Sequence, residues 1–397
     1  MIIVPIVLFV CLIGVGIVIP LFPFFGARVG ASPEMITMLI AVFAFGQFLS
    51  SPFWGWLSDR IGRKPVMVIS LLGATSSFVL LAIADTLTML FVSRIVGGLM
   101  TGIAPVAFAV AADTSSAQTR AGAMARIGVA FSLGLIAGPI LGGLLAGDDP
   151  ATANYFLLGM VAGAMTTVAA LITLVFFKET LPAEKRAQMR LDAGPNLRPL
   201  ADLLGTLKIP ALRRITLINF CFAGALGIFD STYALFANAR IGSGPEEIGL
   251  LFAMLGIINA VLQGLAVSRI VPLLGEWGTV LTSVVFYGVG LVLLGSAESR
   301  GFFIASTVLL AIAFSLFIPT SNSLASKATD EGQRGAALGV FQGASNLARS
   351  ITPLFSGYAF ARVSIETPFV LGSLLLVLPA WLALRQALVE RKKRSRK

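Results

Sequence analysis

Apolar positions in this chain gather into long unbroken runs, not into the short alternations of a half-buried surface element. Twelve runs reach about 20 residues, the length that carries one helix across the hydrocarbon core of a bilayer. They lie at roughly 3–25, 34–57, 65–84, 87–112, 121–147 and 154–177, then at 213–238, 246–270, 277–297, 301–326, 334–360 and 366–387. Polar residues collect in the short gaps, and the one long gap, 178–212, separates six runs from six. The pattern predicts an all-α membrane protein: a six-helix bundle over 1–177, a cytoplasmic linker over 178–212, a second bundle over 213–387 and a basic tail over 388–397. Pro20, Pro105, Pro139, Pro319 and Pro353 fall inside runs, where neighbouring helices re-satisfy the backbone groups a proline frees. The first run lacks a preceding basic segment and is long for a signal peptide, so it reads as a span. It begins so near Met1 that a native start farther upstream stays open.

Composition agrees with a lipid environment. Hydrophobic residues make up 57% of the 397 and charged residues 12%, about half the share usual in a soluble domain. There is no histidine, which removes imidazole catalysis and imidazole proton relays. Cys11 and Cys221 both lie in apolar runs, so neither a disulfide framework nor a thiolate metal site is expected. The net charge of +10 is informative through its placement. Of the 29 Lys and Arg, 23 fall in the tail and the loops that follow even-numbered runs, against four on the other side. By the positive-inside rule both termini and the linker face the cytoplasm of a bacterial inner membrane. The excess of basic residues is thereby a topological anchor, and nucleic acid is not an expected partner.

The two halves repeat. At an offset of 214 residues Pro105 meets Pro319, Arg120 meets Arg334, Pro139 meets Pro353 and Gly143 meets Gly357. Six plus six spans in the same orientation are parallel repeats, an arrangement that places a solute site near the midplane at the repeat interface.

Three motifs lie in these spans and loops. After the second span the chain reads Gly55-Trp56-Leu57-Ser58-Asp59-Arg60-Ile61-Gly62-Arg63-Lys64-Pro65. The fourth span holds Arg94-Ile95-Val96-Gly97-Gly98-Leu99-Met100-Thr101-Gly102, and the fifth holds Gly134, Gly138, Pro139, Gly142 and Gly143. Together with Gly14 to Pro23 these resemble motifs A, B and C and the opening span of the major facilitator superfamily, in its twelve-span drug:proton antiporter branch near the tetracycline exporters. The resemblance covers the whole chain. It implies that Gly55, Asp59, Arg60, Gly62, Arg63, Lys64 and Asp113 form a conformational latch. In it Gly55 permits close helix contact, Asp59 caps the eleventh span near Gly335 and Asp113 receives a basic residue. A plain charge anchor is the other reading of that loop, and ordinary small-residue packing the other reading of the glycines in the fifth span. The acids that tetracycline exporters carry in their first, third and ninth spans are missing, and Cys11 stands in place of one of them.

An antiporter needs an embedded group that binds protons. Of 19 Asp and Glu, only Asp230 lies well inside a span, about 26 Å from its cytoplasmic end by helix rise. Asp230, with the embedded arginines Arg349 and Arg94, is the candidate proton-coupling set, because an ionisable group in a span is costly unless it faces a cavity or a partner. Arg349 pairs with Asp230, offers a counter-charge to an anionic substrate, or is structural. For Arg94, snorkelling to the interface is the alternative. Gln47, Asn219, Tyr233, Asn259, Gln263, Asn322, Gln342 and Asn346 are the candidate cavity polars, set among many of the 29 phenylalanines. Such a cavity suits amphipathic small molecules.

The favoured expectation is a monomeric exporter of amphipathic compounds driven by the proton gradient, with no bound cofactor or metal. Carriage of an anionic amphiphile or metabolite is the second reading, and a non-transporting receptor the third. No nucleophile–base constellation points to an enzyme.

Overall fold

The computed structural model describes residues 2–115, 119–182, 184, 186, 209–328 and 334–394. Most of the linker and the last three residues of the tail lie outside this set. Fifteen helices appear among the described residues. The first half contains α1 (Ile3–Val18), α2 (Phe22–Arg28), α3 (Pro33–Ile61), α4 (Arg63–Ala82), α5 (Leu87–Leu99), α6 (Ile103–Asp113), α7 (Arg120–Ala146) and α8 (Tyr155–Phe176). The second contains α9 (Pro210–Ile241), α10 (Pro245–Leu274), α11 (Glu276–Gly295), α12 (Arg300–Lys327), α13 (Arg334–Arg362), α14 (Thr367–Leu375) and α15 (Val377–Arg394).

Each of the twelve predicted runs holds helix. Three runs are interrupted where the sequence gives a local reason. The first bends by 43° between α1 and α2, around Pro20. The fourth breaks at Thr101-Gly102, just before Pro105, and the twelfth breaks at Leu376. Side-chain caps open three spans: Thr86, Asn154 and Ser299 each accept the backbone N–H three residues on. Among the described residues ten segments are long and apolar enough to cross a bilayer, and the bent α1–α2 pair makes an eleventh. The remaining predicted span, the eleventh, is α13, which is 29 residues long but more polar, carrying Gln342, Asn346 and Arg349.

Two compact units emerge. Unit 1 comprises Met1–Ser32, Val42–Leu197 and Ser243–Gly256, and unit 2 comprises Pro33–Ala41, Arg198–Gly242 and Ile257–Lys397. They follow the two halves of the sequence except that each takes in the opening turns of a helix, α3 or α10, from the other half. Small residues make this exchange possible. In unit 1 the backbone of Gly143 lies against Glu246 and Gly249 of α10, and in unit 2 Gly357 lies against Glu34 and Thr37 of α3. Gly143 and Gly357 are the repeat pair found at offset 214.

Within unit 1, α7 packs along α1, and α8 packs against α4 and α1. The buried cluster there includes Val7, Leu8, Val66, Leu71, Val106 and Ala107. Within unit 2, α9 packs along α13, and α11 packs against α12. Large apolar side chains such as Val175, Phe176 and Leu374 remain exposed. In lipid that exposure costs nothing, so close packing and interhelical hydrogen bonds must hold the helices together.

Candidate functional site

In unit 2 a line of small and polar residues fastens α9 to α13. Asn219 donates from Nδ2 to the Phe341 carbonyl at 3.0 Å and to Ser345 Oγ at 2.5 Å. Farther along, a Cβ on Gly227 would fall 2.6 Å from Thr352 Oγ1 and 3.2 Å from the Cα of Arg349, so this glycine lets the helices approach. Ser231 and Ser356 share a hydrogen bond of 3.0 Å. Ser345, Arg349, Thr352 and Ser356 are spaced four, three and four residues apart, one face of a helix. Asp230 lies within this seam, and Arg349 Nη2 donates to its Oδ2 at 2.6 Å.

That ion pair sits deep within two long helices yet is incompletely covered. Side-chain exposure is 24% for Asp230 and 45% for Arg349. Gln342 and Asn346, two turns and one turn earlier on α13, are also uncovered or half-covered, and Gln342 Nε2 donates to Asn346 Oδ1 at 3.4 Å. A charged pair at mid-span is tolerated on an open side only if that side meets water or a polar solute. Tyr287 of α11 is fully buried, and among the described residues its hydroxyl has no hydrogen-bond partner.

The candidate cavity polars separate into two groups. Gln263, Asn322 and Gln342 are exposed, while Gln47 and Asn346 are half-buried. Asn219 is drawn into the helix seam described above. Tyr233 is wholly buried, bonded to Thr307 Oγ1 at 3.1 Å and tilted against Phe229 and Phe303. Half-buried Asn259 accepts from Ser315 Oγ at 2.5 Å. Asn219 and Tyr233 thus do not line an open space: their polar atoms tie helices together, as buried polar groups in a membrane bundle must.

Arg94, in unit 1, does not snorkel. It is 7% exposed, with its guanidinium 4.5 Å from the Phe22 ring centroid and 5.5 Å from that of Phe43. Among the described residues its Nε and Nη2 have no hydrogen-bond partner. The two rings hold the cation by a cation–π attraction, worth about 2 kcal/mol where water is excluded.

The loop after the second span is organised around Arg63. This buried residue donates from Nε to Asp113 Oδ2 at 2.9 Å, and from Nη1 to Ser58 Oγ at 2.5 Å, with Asp59 Oδ1 at 2.6 Å. Asp113 therefore receives a basic residue, as expected, and the planar guanidinium explains how one side chain meets three acceptors. Asp59 pairs inside its own loop; the side chains around Gly335 fall outside the described residues. Among the described residues, a Cβ on Gly55 would meet nothing within 4 Å. Arg60 lies over the Trp56 ring at 4.5 Å. Gly62, at φ +109°, turns the chain into α4. The amides of Arg63 and Lys64 there donate to Glu179 at 3.0 and 3.1 Å.

The glycines of the fifth span pack on two sides. A Cβ on Gly134 would fall 2.6 Å from that of Leu12, one on Gly138 would fall 2.6 Å from the Cα of Gly16, and one on Gly142 would fall 2.7 Å from the Ile17 carbonyl oxygen. Those three face α1. Gly143 instead faces the opening turns of α10, and Pro139 meets both sides, its ring against Gly16 of α1 and its carbonyl oxygen against Gly249 of α10. The spacing of the motif showed a small-residue stripe, but not that it serves two partners.

Sequence reasoning missed Glu179, Glu276, Lys327, Glu390 and Tyr287. The acids had been counted as loop or span-end residues, and Tyr287 carries no signal in a run of apolar neighbours. Position 179 offered one signal: an acid directly after a span in a loop that is otherwise strongly basic.

The geometry has relatives. Residues 6–281 and 215–397 match the family profile of the Major Facilitator Superfamily. The chain is 29% identical over 345 residues to the tetracycline resistance protein, class B, of Escherichia coli, a match covering 86% of this chain and 83% of that one. It is 27% identical over 375 residues to multidrug resistance protein 2 of Bacillus subtilis (strain 168), covering 93% and 90%. Among solved structures, the human organic anion transporter MFSD10 (TETRAN) superposes with a TM-score of 0.70 at 25% identity, over 96% of this chain and 98% of that one. With both halves matched by the family profile and the apolar helices in place, this chain is a multi-pass membrane protein that belongs to the Major Facilitator Superfamily, a transporter and not an enzyme.

Proposed function

We propose that the protein exports amphipathic small molecules in exchange for protons by alternating access, and that Asp230 is the group that binds the proton. One observation carries this reading: a carboxylate at mid-span, held at 2.6 Å by Arg349 and still partly uncovered. When Asp230 is ionised, it holds Arg349 by a charge-assisted hydrogen bond. When it takes a proton, the charge on Asp230 is lost and Arg349 is freed. A cationic substrate and a proton then compete for one carboxylate, and that competition is the exchange. Arg349 is the group that sets when the proton binds, by its positive charge and its hydrogen bond to the carboxylate. The relatives named for tetracycline and multidrug resistance support the export reading. The proposal places the protein as a monomer in a bacterial inner membrane with both termini cytoplasmic, and with no bound cofactor.

A second reading has its own support. Arg349, with Gln342 and Asn346 beside it, offers a positive, hydrogen-bonding stripe, and the human relative of known structure, MFSD10, is an organic anion transporter. For an anion the coupling reverses: protonation of Asp230 frees Arg349 to bind the substrate, so proton and anion travel together. Proteoliposomes holding the purified protein separate the two. An imposed pH gradient should drive ethidium against the proton flow and leave carboxyfluorescein unmoved. Movement of carboxyfluorescein with the protons would favour the anion reading, and movement of neither probe would count against both.

A further inference from the structure

The loop around Arg63 has a counterpart in unit 2 that no motif announces. Gly62 at φ +109° precedes α4, and Gly275 at φ +79° precedes α11, 213 residues later. A positive φ is available to glycine at little cost, and in both places it turns the first amides of the helix outward. In both places a glutamate in or just beyond the last helix of that half receives them. Glu179 accepts from the amides of Arg63 and Lys64, and Glu390 Oε2 accepts from the amide of Trp277 at 3.1 Å. A Cβ on Gly62 or Gly275 would collide with the respective carboxylate. A carboxylate on the positive end of a helix is favourable, which accounts for both contacts.

The ion pair is repeated too, with its charges exchanged. In unit 1 Arg63 reaches Asp113 at the end of α6. In unit 2 the residue 213 positions after Arg63 is Glu276, and the residue 214 positions after Asp113 is Lys327. Lys327 Nζ lies 2.9 Å from Glu276 Oε1, which also accepts from Ser323 Oγ at 2.6 Å. Glu276 is largely covered, whereas Lys327 is exposed. Two halves that kept the contact while inverting its sign retain the connection itself, since a charge anchor alone has no use for an acid at that position.

We propose that Gly275, Glu276, Lys327 and Glu390 form a second conformational latch, charge-reversed relative to Gly62, Arg63, Asp113 and Glu179. It ties the ends of α11, α12 and α15 together so that they move as one body during transport. The assignment rests on the transport reading above for its functional part. Glu276 and Glu390 are positioning residues here, since neither touches the Asp230–Arg349 pair.

The test uses the full-length protein with Lys327→Glu, Glu276→Lys, the double exchange and Glu390→Gln. Hydrogen–deuterium exchange over 276–282 reads the latch without any substrate, and pH-driven movement of ethidium and of carboxyfluorescein in proteoliposomes reads transport. An exposed ion pair supports only a modest effect, so each single charge reversal should raise exchange and slow transport by about fivefold. Glu390→Gln should do so by about threefold. Equilibrium binding of the transported probe should stay unchanged, as expected where a conformational step is affected. The double exchange, which rebuilds the pair in the other polarity, should bring both readouts back to within about twofold of the unaltered protein. A double variant as impaired as the singles overturns the latch. So does a change in exchange with no change in transport rate, which would leave a purely structural clamp. If the unaltered protein moves neither probe, the transport reading fails, and rescue or non-rescue of exchange by the double variant still decides the contact.

Discussion

Arg349 of α13 meets Asp230 of α9 at 2.6 Å, although no residue of the first half stands in for this arginine: Leu135 occupies its repeat position. The charge pair is thus an asymmetric addition to a symmetric scaffold. Its helix seam of Asn219–Ser345, Gly227–Thr352 and Ser231–Ser356 is complete without it. A feature the packing does not need, placed at mid-span on a partly open side, is the best candidate for chemistry.

Asp230→Asn should abolish pH-driven transport while leaving expression and thermal stability close to those of the unaltered protein. Asparagine keeps an acceptor for Arg349 but binds no proton. Flux measured with and without a pH gradient checks this, and a variant that still responds fully to the gradient would remove Asp230 from the mechanism. Arg349→Ala should keep some flux but shift its pH optimum or its preference between ethidium and carboxyfluorescein.

Gly138→Ala should destabilise the protein by about 1–3 kcal/mol, the usual cost of forcing atoms into a packed site. Its methyl group would press on the backbone of Gly16 and Ile13, which has no side-chain freedom to give. Gly128→Ala on the same helix meets nothing within 4 Å among the described residues and should be neutral or slightly stabilising, since alanine is the better helix former by about 1 kcal/mol. Thermal unfolding in detergent compares the pair; equal effects would contradict the close approach of α7 to α1.

Arg63→Lys should cost about 1–2 kcal/mol, because a single ammonium cannot serve Asp113 and the Ser58–Asp59 side together. Turnover should fall more than substrate affinity. Asp113→Asn should be the more damaging of the two acid replacements, since Asp59 is the more exposed partner at 41% against 24%. A larger effect from Asp59→Asn would show that Asp59 has a role beyond its pairing with Arg63.

Arg94→Met should hold or raise thermal stability, since it replaces a buried cation lacking an ion pair among the described residues by an apolar side chain of similar length. Transport should nevertheless fall, because the cation itself is gone. A sharp loss of stability would instead show that the stack with Phe22 and Phe43 is a structural support.

Much of this architecture was legible in the chain before folding. Runs of about 20 apolar residues, basic loops on one side and prolines recurring at one offset are local or periodic signals, and lipid enforces them strongly, because a backbone in hydrocarbon must bond to itself. Asp230 was legible for a related reason: a lone acid in an apolar run is conspicuous. Asn219 and Tyr233 were misjudged because a polar side chain in a span looks the same whether it faces a cavity or a neighbouring helix.

The sequence by itself determined the spans, their six-plus-six division and the repeat, since bilayer thickness converts composition directly into helices. Only the tertiary structure decided which charges meet. Arg349 is 119 residues from Asp230, Glu179 is 116 from Arg63 and Glu390 is 113 from Trp277. No periodicity spans such distances: the contacts depend on how helices lean together, and that is set by small residues such as Gly227 and Gly138, whose partners appear only once the bundle has formed.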